Sequence, residues 1–200
     1  MSALRVPTLT QTARSIAGLL SVLSGNRDGL KLIDSSFEGV LRSFLVFAWC
    51  WPAQAFLWTG VWRDLPEARP DSVGGFVVFF LQAGFFDLLG WLLPAVLMIA
   101  LSRPFGFPAQ VFKLIAMTNW FGLIATYMAF FPASIDYLIP IPEQLTAVIS
   151  LVIYAFTIVF YFRLARAVLG NDGLLAAMVT VLLVVTSIVT SVIAFGAMGL

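Results

Sequence analysis

Asp87 is the one acidic residue deep inside an apolar stretch of this 200-residue chain, which makes it the side chain best placed to do chemistry. The stretch Phe76 to Leu101 has its midpoint near residue 88. The carboxylate is therefore expected near the centre of a bilayer, where a charge costs about 2.5–3.5 kcal/mol on insertion scales. Intramembrane carboxylates face an interior and mark ion or proton paths, but a protonated aspartate can also serve structure alone, so both roles stay open. Asn119, two residues from the midpoint of the following apolar block, is expected at nearly the same depth and within hydrogen-bonding reach. Gln82 and Gln54 could line the same interior and complete a candidate polar site. A second feature is the series Glu143, Thr146, Ser150, Tyr154, Thr157 and Tyr161, at offsets 0, 3, 7, 11, 14 and 18. This is the helical period, so the six form one polar stripe along a helix. It is expected to face inward as a seam of interhelical hydrogen bonds, with a solute pathway as the alternative.

Other chemistry falls away for want of residues. The chain has no histidine and a single cysteine, Cys50. Histidine-ligated haem, histidine-containing zinc sites, Ser-His or Cys-His pairs and a disulfide within the chain are excluded. A two-aspartate intramembrane protease would need a second buried Asp. The expectation is a protein that is not an enzyme, with no catalytic residue, cofactor or metal, and with Cys50 as a small buried hydrophobe. A net charge of +1 supplies no basic surface for nucleic acid.

Long apolar helices must position these groups, because 61% of the residues are hydrophobic and 10% charged, with a mean hydropathy of +1.01. The apolar residues fall into five blocks: Val40 to Trp62, Phe76 to Leu101, Val111 to Phe131, Glu143 to Phe162 and Leu174 to Leu200. Each is long enough to cross hydrocarbon. The expected fold is an all-α polytopic membrane bundle of five transmembrane helices. Breakers at Leu65 to Gly75, Arg103 to Pro108, Pro132 to Pro142 and Gly170 to Gly173 separate the spans. Ser35 and Glu38 match a capping box for the first, Pro52 and Pro94 predict kinks, and Thr186, Thr190 and Ala194 form a small-residue stripe in the last.

Nine of the eleven lysines and arginines fall on one side of these spans and only Arg63 and Arg69 on the other, predicting the N-terminus in the cytoplasm and the C-terminus outside. Lys113 and Arg42 are expected to snorkel from their helices. Trp58 and Trp62 fit an outer aromatic belt, while Trp49, Trp51, Trp91 and Trp120 lie deeper and need acceptors. Residues 1–34 read as a cytoplasmic segment and 35–200 as the membrane domain. Within the segment, Leu9, Ala13, Ile16, Leu20 and Leu23 predict an amphipathic helix. It would lie along the inner leaflet or under the bundle, with Arg14, Arg27 and Lys31 near headgroups, or would dock a partner. Ile16 to Leu23 is too short and too broken to read as a secretory signal.

This layout resembles the Yip1-type membrane proteins: a polar N-terminal segment, five spans and a short end outside. The resemblance implies a membrane-organising or trafficking-related role with protein partners. The Asp-Leu-Tyr-Gly-Pro motif of that family is absent, so no site residues carry over. The expected function is a helix-packing scaffold or accessory subunit in the plasma (inner) membrane of a bacterium, surrounded by lipid and paired with a membrane protein or a second copy. The alternative is a small transporter or channel using Asp87 and Asn119. A water-accessible cavity reaching Asp87 would favour transport, and lateral protein contacts a scaffold.

Overall fold

The computed structural model describes residues 5–63, 73–139 and 141–199. Among these the chain forms seven α-helices and no strand: α1 (Leu9–Leu23), α2 (Phe37–Phe44), α3 (Phe47–Arg63), α4 (Val73–Ser102), α5 (Val111–Leu138), α6 (Glu143–Val168) and α7 (Gly173–Met198). A 3-10 turn, Arg27–Leu32, joins α1 to α2. Five stretches of 26–30 residues are apolar enough to cross a bilayer, α2 with α3 forming the first and α4 to α7 the rest. At about 1.5 Å per residue they exceed the roughly 30 Å hydrocarbon core, and the chain is an integral membrane protein. Asp64, Glu67, Arg69 and Asp71, the expected breaker from Leu65 as far as residue 72, and Leu200 lie outside the described residues.

Local chemistry moves several boundaries from their expected places. The first span is capped by Ser36 and not Ser35: Ser36 Oγ accepts from the Gly39 N–H at 3.0 Å. Asp34 Oδ1 accepts from the N–H and hydroxyl of Ser36 at 3.0 and 2.7 Å, which shifts the start by one residue and turns Glu38 toward Arg42, 2.7 Å away. Burial pushes the Asp34 carboxyl up, but the two Ser36 donors and the Arg42 and Arg14 charges more than offset it, holding the group below the ordinary carboxyl range. A capping box does occur at α1, where Thr8 and Gln11 exchange side-chain-to-backbone bonds. The first span breaks at residues 45 and 46, more than a turn before Pro52. There the Ser43 hydroxyl donates back to the Val40 carbonyl at 2.7 Å, and the N–H groups of Leu45, Val46 and Ala48 bond three residues back, tightening the helix. Pro132 fails to end α5. Its ring removes one donor only, and the helix closes at Leu138, where Asp136 Oδ1 accepts from the Ile141 N–H at 3.1 Å.

The spans surround a common interior: α3, α5, α6, α7 and α4 pack in that order, and α4 closes the ring by touching both α3 and α5. α4 packs extensively on α7, where Thr186, Thr190 and Ala194 are buried and a Cβ added at Gly90 would meet Thr190 Cγ2 at 3.7 Å. Their hydroxyls are satisfied within α7, Thr186 donating to the Leu182 carbonyl at 2.6 Å and Thr190 to the Thr186 carbonyl at 2.8 Å. The packed core lies toward the end of the bundle that carries the N-terminal segment, here called basal. It includes Met98, Leu114, Met117, Phe121, Leu164 and Val179. At the other, distal end a smaller cluster forms around Trp58, Phe79 and Ala83.

α1 is the expected helix, and part of its apolar stripe turns away from the protein while Ile16 and Leu23 pack on the core. Leu9 and Leu20 of its apolar stripe are 71% and 54% exposed, while Thr12, Ser15, Gly18, Leu19 and Val22 are buried. Small residues let helices approach closely, and apolar ones can face lipid, so this orientation fits the arrangement along the leaflet. α1 packs against α5 and α6, and its Leu9, Thr12 and Ile16 share a groove with Tyr127, Met128 and Phe131 beyond the middle of α5. A Cβ added at Gly29 would collide with the Gly18 carbonyl oxygen, so this glycine pair sets the approach of the 3-10 turn. Arg27 contacts protein where headgroups were expected: its Nη2 donates to the Ala167 carbonyl at 3.1 Å and to Asn171 Oδ1 at 3.2 Å, at the open carbonyl end of α6. Asn171 holds the left-handed turn that follows, at φ 73°. Lys31 is paired with Asp28 at 2.6 Å and holds that carboxyl below its ordinary range.

Candidate functional site

The ring of spans borders a partly open cavity of about 630 Å³ to which all five contribute. Its wall begins near Met98, Asn119 and Leu183 above the basal core, and extends to Val61, Pro132 and Met198 toward the distal ends of α3, α5 and α7. One end is thus sealed by close packing and the other is walled by residues near the distal surface. On α4 the lining residues Ala83, Asp87, Gly90, Trp91 and Pro94 recur at three- and four-residue steps, so one face of that helix looks into the cavity.

Asp87 is the fifteenth of the 30 residues of α4, at its midpoint as the sequence predicts. Its Oδ2 is sealed from solvent and has no hydrogen-bond partner. The polar groups turned toward the carboxyl are the Gln54 amide and the Trp58 indole. A buried acceptor left unpaired costs about 1–3 kcal/mol, and more when charged. The cavity wall therefore carries one acid at mid-membrane, hydrogen-bonded by Gln54 and Trp58 and with one oxygen left without a partner.

Asn119 also lines the cavity, but its amide Nδ2 donates to Ser43 Oγ at 3.0 Å and not to Asp87. The reason is depth. Asn119 is the ninth of the 28 residues of α5. That puts it about 12 Å above the basal start of α5, whereas Asp87 stands about 22 Å above the basal end of α4. Ending the third block at Phe131 gives a midpoint near 121, while the helix that runs on to Leu138 is centred between 124 and 125. Gln54 is on the wall, and Gln82 is not among the lining residues. Five positions before Asp87, Gln82 points about 140° around the helix from it.

The α6 stripe divides. Ser150, Tyr154, Thr157 and Tyr161 line the cavity, Thr146 Oγ1 is sheltered without a partner, and Glu143 is exposed at the helix start. Among the described residues no hydroxyl of the stripe bonds to another helix, and Thr157 donates to the Ile153 carbonyl of its own helix at 2.9 Å. The interhelical bonds lie elsewhere, in Ser43 with Asn119 and in the Tyr127 hydroxyl donating to the Trp49 carbonyl at 3.1 Å. The Trp49 indole in turn donates to the Pro7 carbonyl at 3.0 Å, fastening the N-terminal segment. The cavity face of α5 carries Thr118, Gly122 and Thr126, and that of α7 carries Ser187 and Ser191. Four-residue spacing of small and hydroxyl residues marks both faces in the sequence.

The chain matches no family model, no curated protein and no solved structure.

The chemistry of the site rests on its own residues. Among the described residues Asp87 is the only formally charged side chain on the wall. Amide and hydroxyl groups and the rings of Trp58, Trp91, Tyr154 and Tyr161 share the wall with it. Gly122 makes room for one of these rings: a Cβ there would stand 3.0 Å from Trp91 Cζ2.

Proposed function

We propose that this is a non-enzymatic membrane protein of the small transporter or channel type, which holds a solute in its interior against Asp87 and passes it across the bilayer. The observation that carries this reading is a cavity at mid-membrane with Asp87 on its wall, the acid having one oxygen without a partner. A helix-packing scaffold needs outward faces and no polar interior, and an acid serving structure alone would be hydrogen-bonded on both oxygens. The α6 hydroxyls turned to the cavity without crossing to another helix favour the same reading. In this proposal the basal face is cytoplasmic, supported by the nine-to-two bias of lysine and arginine, and solute meets the cavity from the distal side.

Reconstituted vesicles test this. The full chain is expected to dissipate an imposed proton or monovalent-cation gradient, and Asp87→Asn to lose that flux while eluting as the wild type does, because the amide keeps the shape and most hydrogen-bonding capacity of the acid. Wild-type vesicles with no flux under any imposed gradient, together with a stable Asn variant, would return the chain to the scaffold class.

A further inference from the structure

We propose that the ligand of the Asp87 cavity is a small organic ammonium cation, held by the carboxylate and by the aromatic rings of the wall; this rests on the reading of the cavity as a solute site. The sign of the ligand follows from the lining. Asp87 is its single charge, and no lysine or arginine is among the lining residues to receive an anion or to neutralise the acid from within. An intramembrane carboxylate is stable when paired, so a ligand that carries a positive charge supplies the countercharge that the cavity wall lacks.

The class of cation follows from the rest of the wall. A divalent metal takes six or more oxygens with several carboxylates among them, and no group of three metal-ligating side chains occurs among the described residues. A bare alkali ion must replace its hydration shell by a close ring of oxygens. The groups turned toward Asp87 are one amide and one indole, and an indole N–H donates only. A volume of about 630 Å³ is far larger than any stripped ion and lies in the range of pockets that enclose small organic molecules. Trp58, Trp91, Tyr154 and Tyr161 offer ring surface to the alkyl groups of an ammonium ion, the combination of acid and aromatic wall that recognises such cations elsewhere. The hydroxyls of Ser187 and Ser191 suit a ligand that keeps part of its water.

Equilibrium binding to the full-length protein in lipid nanodiscs tests this with benzyltrimethylammonium as probe and neopentylbenzene as its neutral counterpart of equal shape. The wild type is expected to bind the cation, and neopentylbenzene should fail to displace it. Asp87→Asn should weaken binding about 30-fold or more, and Trp91→Leu about threefold or more. Asp87→Glu, which keeps the charge, should retain binding, and it carries the test if the Asn variant does not fold. Equal displacement by neopentylbenzene, or undiminished binding by Asp87→Asn, would overturn the assignment. Asp87-dependent rubidium or proton flux with no binding of benzyltrimethylammonium would overturn the ammonium class and leave the solute site intact. Absence of both flux and binding would overturn the two together.

Discussion

Ser187→Phe is expected to abolish solute passage while leaving the protein about as stable as the wild type. Ser187 lies on the α7 wall of the cavity. In a close-packed interior a phenyl ring added at such a position forces side chains off their rotamers and costs about 1–3 kcal/mol. Here it would enter space that is already empty, on a wall shared with Gly90 and Trp91 of α4 and Tyr154 of α6. The expected change in stability is thus within about 1 kcal/mol of zero, while the path past Asp87 is filled. Flux in vesicles and thermal stability in detergent measure the two effects separately. A variant that is destabilised by several kcal/mol would show that the cavity closes in the bilayer, and one that conducts as the wild type does would move the path elsewhere.

The second large effect concerns the seal at the basal end. Phe121 is fully buried and meets the rings of Tyr161 and Phe160 at centroid distances of 4.8 and 5.8 Å, both edge-on. Phe121→Ala is expected to cost about 3 kcal/mol, the low end for a buried phenylalanine, because removal from lipid brings little transfer energy and the loss is one of packing. Leu20→Ala on the exposed face of α1 removes an apolar side chain of similar character from contact with lipid, and should change stability by less than about 0.5 kcal/mol. Unfolding in mixed micelles of increasing denaturing detergent ranks the two. Equal loss from both would mean that the basal core is not the main source of cohesion.

The comparison of sequence with structure turns on how far each signal is local. The spans and the central place of Asp87 are legible because hydropathy accumulates over 26–30 residues and small errors at the ends hardly move a midpoint. Asn119 shows the limit of that reasoning, since a single proline taken as a stop displaces a helix centre by more than three residues and breaks the inferred pair. The α6 stripe is legible as a stripe from its period, but the period gives an angle and not the neighbour that fills it. Whether Ser150 and Tyr154 meet a helix or a cavity depends on the order of α3, α5, α6, α7 and α4 around the ring, which no local pattern encodes. The orientation of α1 has a similar origin. Leu9, Ile16 and Leu20 identify an amphipathic helix, but the stripe alone leaves open whether its apolar side meets lipid or protein, and in the structure the small side meets the protein. The Gly18 and Gly29 contact, the one local sign of close approach, becomes meaningful only when the 3-10 turn folds back on the helix.

The central claim, that a polar interior reaches Asp87 from one side of the membrane, is tested most directly by single cysteines placed in a Cys50→Ala background. Both Ser191 and Val192 on α7 are exposed, but Ser191 lines the cavity and Val192, the next residue on the same helix, is not among its lining residues. In sealed vesicles a charged, water-soluble thiol reagent is expected to modify Ser191→Cys when applied on the side opposite the Asn171–Gly173 turn, and to leave Val192→Cys unmodified from either side. Modification of neither position by the charged reagent, with both reacting alike toward a lipid-soluble maleimide, would contradict the account, because Ser191 would then face hydrocarbon as Val192 does.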